Sequence, residues 1–89
     1  MKQEPLVKIR YFGWLKDKVG YAEEEICLPA EVTNVGALIN WLSGRGRRYE
    51  QAFEFIEVAK IYVNQAYALN DQPVKDGDEV VIVPPITGG

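Results

Sequence analysis

The stretch VIVPPITGG, residues 81 to 89, holds the most chemically suggestive group in this sequence, the carboxyl carbon of Gly89. Gly88 and Gly89 have no side chains, so they take backbone angles closed to other residues and leave that carbon open to attack. A free carboxylate is a poor electrophile. Chemistry at Gly89 therefore requires prior activation, as an acyl phosphate or acyl adenylate, by a separate enzyme. Other constellations fall away on residue type. The 89 residues include no histidine, which removes Ser-His-Asp and Cys-His mechanisms and imidazole metal sites. The single Cys27 lies in a strand pattern beside acidic residues that disfavour its thiolate, which suits a structural cysteine. The glycines of GRGRR, residues 44 to 48, follow a helical pattern and lack the Lys-Ser/Thr ending of a phosphate loop. Asp71, Asp76, Asp78 and Glu79 crowd a turn where Asp serves the backbone, and their spacing departs from a calcium loop, so no metal site is expected.

The elements that position such a tail follow from periodicity. Residues 6 to 12, LVKIRYF, alternate Val7, Ile9 and Tyr11 against Lys8 and Arg10, the pattern of a half-buried strand. Residues 13 to 20 are too short for a firm helix, although Trp14, Leu15 and Val19 suit one end of a core. A second strand over 23 to 30 sets Glu24, Ile26 and Leu28 against Glu25 and Cys27, stops at Pro29 and pairs with the first as a hairpin. Thr33 or Asn34 then caps a helix whose Val35, Leu38, Ile39 and Leu42 share one side, ended by Gly44 and Gly46. Residues 47 to 57 read as a short helix or ordered loop facing inward through Tyr49, Ala52, Phe53 and Ile56. A strand near 60, a short strand or loop, the Asp76-Gly77 turn and a last strand over 79 to 83 complete the chain. The helix must lie across one face of the sheet, because neither layer buries its apolar side alone. Pro84 and Pro85 stiffen the exit from the last strand and direct the tail outward. Extended, the residues from 84 to 89 reach roughly 20 Å, enough to enter another protein's active site.

Bulk properties set the class of partner. The chain is 47% hydrophobic with 13 acidic and 10 basic residues, which describes one small globular domain of formal charge -3. No basic stripe interleaved with aromatics appears, so nucleic acid is not an expected partner. The densest patches, Arg45 with Arg47 and Arg48, and Glu23 to Glu25, read as solvated surface. No segment approaches the ~20 apolar residues that span a bilayer, and MKQEPLVKIRYF is no signal peptide, so a cytoplasmic protein without a membrane partner is expected.

Five stretches carry a resemblance over nearly the whole chain: VKIRYFGWLKDKVG at 7 to 20, EEICLP at 24 to 29, TNVGALINWLSGRG at 33 to 46, YVNQAY at 62 to 67, and VKDGDEVVIVPPITGG at 74 to 89. Together they resemble the small, sulfur-carrier subunits of molybdopterin synthase, the MoaD-type proteins related in fold to ubiquitin. The resemblance implies an α+β fold of β-grasp type, a mixed sheet packed against one main helix with short extra helices. It divides the chain into a domain over 1 to 83 and an extended diglycine tail over 84 to 89. It implies that an E1-like enzyme adenylates Gly89 using ATP, and that a sulfur donor converts it to a thiocarboxylate. The tail then enters the large synthase subunit, which supplies the catalytic side chains, and gives its sulfur to cyclic pyranopterin monophosphate. On this pattern Gly89 is the modified residue, Gly88 gives access, and Pro84, Pro85, Ile86 and Thr87 line the docked tail; no cofactor is bound by the chain itself. An exposed apolar patch near the last strand is expected to dock both partners in turn. A thiamine-pathway sulfur carrier or a ubiquitin-like modifier keeps the Gly89 chemistry and changes the acceptor, whereas a plain interaction domain has an inert tail.

Overall fold

Strand β1, Leu6–Tyr11, buries Val7, Ile9 and Tyr11 and turns Lys8 and Arg10 outward, as its alternation requires. The computed structural model describes residues 5 to 85. Helix α1, Gly13–Val19, follows at once, buries Leu15 and Val19, and ends where Gly20 adopts a left-handed φ of 95°. A side chain resists that angle, and glycine does not. Strand β2, Glu23–Cys27, returns antiparallel to β1 with Ile26 facing inward.

Helix α2, Val35–Ser43, begins at Asn34, whose side-chain oxygen accepts the Ala37 N–H at 2.8 Å. Of the two sequence candidates for this cap, Asn34 fills the role. Val35, Leu38 and Leu42 lie on its buried side, with Ile39 packed at the margin. The segment read as helix or loop is both: α3, Arg47–Ala52, then a turn of 3-10 helix, Ile56–Val58. Ala52 and Phe53 are buried there, and Tyr49 and Ile56 are partly buried against the core.

Strand β3, Lys60–Val63, and strand β4, Ala66–Ala68, form a tight hairpin through Asn64 and Gln65, both at positive φ, 52° and 73°. Such angles match the twist of a two-residue hairpin. Strand β5, Glu79–Val83, inserts between β1 and β3, parallel to the first and antiparallel to the second. The order across the sheet is β2-β1-β5-β3-β4. The last strand is therefore its centre.

The carboxylates near residue 76 serve the backbone. Asp76 accepts the Leu6 N–H at 2.8 Å, and buried Asp78 accepts the Lys75 N–H and the Asn64 side-chain amide, each at 2.9 Å. Asn64 in turn accepts the Glu79 N–H at 3.0 Å, which ties the β3–β4 turn to the start of β5. One apolar cluster joins the inward face of the sheet to α1, α2 and α3. No helix among the described residues is long and apolar enough to cross a membrane.

Candidate functional site at the exit of the last strand

Two residues past β1 the chain meets its own tail. The Phe12 N–H donates to the Ile82 carbonyl at 3.3 Å, which carries the β1–β5 ladder one step further. Gly13 then sits against Pro84: a Cβ built on it falls 2.7 Å from the proline Cγ, and its φ is 60°. Both facts favour glycine, since the contact excludes a side chain and the left-handed region disfavours one. Pro84 is accordingly buried on its own domain, and Pro85 is exposed. Ile86, Thr87, Gly88 and Gly89, named above from the sequence, lie outside the described residues.

The outward face of the sheet surrounds this exit. Register places Arg10, Val81, Tyr62 and Tyr67 side by side, and Val83 beside Lys60. Val81, Val83 and Tyr62 are half-buried without a covering layer among the described residues, and Phe12 is 43% exposed. Tyr62 and Tyr67 meet edge to face at 5.9 Å. The Arg10 guanidinium lies over the Phe12 ring at 5.9 Å and pairs with Glu23 at 3.5 Å and Glu79 at 3.6 Å. Exposed pairs of this kind contribute little stability. They make a charged border along an apolar stripe.

The end of β1 is braced from behind. Glu24 accepts the Tyr11 hydroxyl at 2.8 Å, the Tyr49 hydroxyl at 2.9 Å and Arg45 Nη1 at 3.0 Å. Arg45 also stacks over Trp41 and Tyr49, 5.2 and 4.9 Å from their ring centres. Burial, helped by the bond to Glu24, drives the Tyr11 hydroxyl far above its usual range, and the same two causes push Tyr49 up to about 12. Glu24 and Arg45 are thus engaged, where the sequence suggested solvated charges; Arg47 and Arg48 are exposed, as are Glu23 and Glu25. Cys27 is exposed on β2 rather than packed in the core.

The sequence located an apolar patch near the last strand without naming its members, which are Phe12, Tyr62, Val81 and Val83. A signal for two of them was present. In EVVIV four apolar residues run together, and a strand with one wet face would have alternated. Tyr62 and Phe12 join only through the sheet order.

A five-stranded mixed sheet crossed on one face by helices, with the chain leaving its central strand through a bordered apolar surface, defines the ubiquitin-like β-grasp class. Within it the chain belongs to the ThiS family, whose model matches residues 9–89. It is 32% identical over 84 residues to the molybdopterin synthase sulfur carrier subunit of Escherichia coli (strain K12), covering 94% of this chain and 100% of that one. A solved Pyrococcus furiosus structure, described as a candidate molybdopterin converting factor subunit 1, is 33% identical with a TM-score of 0.75, covering 92% of this chain and 99% of that one. A chain in the complex of subunits 1 and 2 of molybdopterin-converting factor from Helicobacter pylori superimposes with a TM-score of 0.63 at 24% identity, covering 94% of this chain and 99% of that one. At that identity the last likeness speaks to the fold alone. The family resemblance and the β-grasp expectation read from the sequence are both borne out.

Proposed function

We propose that this chain is the sulfur carrier subunit of a molybdopterin synthase, with the Gly89 carboxyl as its acyl carrier. The observation that carries this reading is the family match running to residue 89, together with the fully covered sulfur carrier relative. In the first step an E1-like enzyme joins a carboxylate oxygen of Gly89 to the α-phosphorus of ATP, and pyrophosphate leaves. Hydrosulfide delivered by a sulfur donor then attacks the acyl carbon, AMP departs, and a thiocarboxylate remains. Within the large synthase subunit that sulfur bonds to a side-chain carbon of the pyranopterin precursor as an oxygen substituent leaves it, and water cleaves the acyl–sulfur bond to restore the carboxylate. Side chains for activation and transfer belong to the partners, and the ATP belongs to the activating enzyme. ATP-dependent activation fits a cytoplasmic setting.

The geometry supports this division of labour. Gly13 and Pro84 fix the start of the tail, and Phe12, Tyr62, Val81 and Val83 offer the same apolar surface to each partner in turn. The relative from Escherichia coli, a sulfur carrier subunit of molybdopterin synthase, supports the large subunit of such a synthase as one of them. One tail serves two active sites, so the two enzymes compete for this surface. The test mixes the thiocarboxylate form with the large subunit and the pyranopterin precursor and measures molybdopterin. Wild type yields product. Deletion of Gly89 abolishes it with thermal stability nearly unchanged, and Val83→Asp lowers it by weakening the complex. Sulfur transfer by the deletion variant, or none by the wild type, would overturn the assignment.

A further inference from the structure

Helix α2 and the β3–β4 hairpin do not close against one another. Between them runs an open groove of about 1090 Å³. Its floor is apolar, made by Ile39, Ile56 and Ile61, all buried or partly buried against the core. One end is closed where the Gly36 N–H donates to the Asn70 carbonyl at 2.9 Å, an approach so close that a Cβ on Gly36 would sit 3.2 Å from that of Asn70. Along one lip lies β4, one of the two edge strands of the sheet, followed by Leu69, which is 64% exposed.

An outermost strand presents unpaired backbone groups to any chain that approaches in extended form. Here the approaching strand finds apolar cover on the floor beside it. Charge narrows the choice of partner. Glu57 and Asp71 are the only charged residues lining the groove among the described residues, and no lysine or arginine lines it. An apolar side chain flanked by cations satisfies both features at once, and acidic flanks are repelled.

We propose that this groove takes an extended segment of a partner protein, an apolar residue flanked by lysine or arginine, added as a strand to β4. The groove faces the helix layer and shares the edge residue Tyr67 with the outward face, while Phe12, Val81 and Val83 lie outside its lining. A partner held there leaves the open sheet face and the tail exit accessible. The site is independent of any chemistry at Gly89.

The test titrates the full, nitrogen-labelled chain with two synthetic peptides, each a Val-Ile-Val core flanked on both sides by two lysines or by two glutamates. The basic peptide shifts the amide resonances of Gly36, Ala68 and Leu69 and binds about tenfold more tightly than the acidic one, in keeping with the cost of like charges. Glu57→Lys combined with Asp71→Lys reverses that preference. Both positions are exposed, so the fold should survive, and circular dichroism verifies it. Equal binding of the two peptides, shifts confined to Val81 and Val83, or no shift at millimolar peptide would overturn the proposal. Concentration-dependent shifts at Ala68 and Leu69 without peptide would overturn it in favour of a second copy of this chain.

Discussion

Glu24 gathers three donors, so its removal strands two hydroxyls and a guanidinium at the back of β1. Glu24→Ala is expected to lower the unfolding free energy in urea by about 1–3 kcal/mol, the usual cost of leaving such groups unsatisfied. Glu24→Gln keeps an acceptor for the hydroxyls and should lose less. An unchanged urea midpoint for the alanine variant would show that the cluster is idle. The hydroxyls also set an alkaline limit. In the folded chain Tyr49 ionises near 12 against an ordinary 10.0, so the native state holds that proton more tightly than the unfolded one. Its contribution is complete below the unfolded value, and it is lost as pH rises from 10.0 toward 12. Tyr11 acts in the same direction. Tyrosinate absorbance should show a delayed fraction that ionises together with unfolding, and Tyr49→Phe should reduce it. Full ionisation before any loss of structure would contradict this. The sequence disclosed half of this cluster. Alternation put Glu24 beside Ile26 and Leu28, but its partners stand 13, 21 and 25 residues away, beyond the reach of a local pattern.

Among the elements, α1 bears most directly on the tail through its first residue. Gly13→Val places a β-branched side chain at a φ of 60° and against Pro84. Strain of this kind costs about 1–3 kcal/mol, and the proline must move as well. The variant should unfold at lower denaturant and transfer sulfur poorly; wild-type values in both measurements would show that the Gly13–Pro84 contact does not matter. Strands β1 and β2 and helix α2 were legible because each has one wet side and one dry side, which writes a period of 2 or 3.6 into the sequence. Helix α1 spans 7 residues, too few for a firm periodic signal, and tertiary packing sustains it. Strand β4 has only 3 residues, so its pairing with β3, invisible locally, defines it. Of the double proline that the sequence expects to direct the tail, the first member packs against a glycine more than 70 positions earlier in the sequence and the second is exposed.

At the scale of the molecule, the placement of β5 decides what the surface offers. As central strand it is covered by helices on one face and open on the other, and its unbroken apolar run supplies both. A domain built this way buries one face of its last strand in its own core and leaves the other as a half-buried surface beside the exit of the chain. The α2–β4 groove touches that face at Tyr67 and leaves Phe12, Val81 and Val83 outside its lining. The proposed chemistry requires an activated Gly89, so the state of its carboxyl is the decisive quantity. The chain should be produced together with an E1-like adenylating enzyme, ATP and a sulfur source, then weighed intact by mass spectrometry. Replacement of one terminal oxygen by sulfur is the predicted result, and an unchanged mass under those conditions would contradict the carrier function.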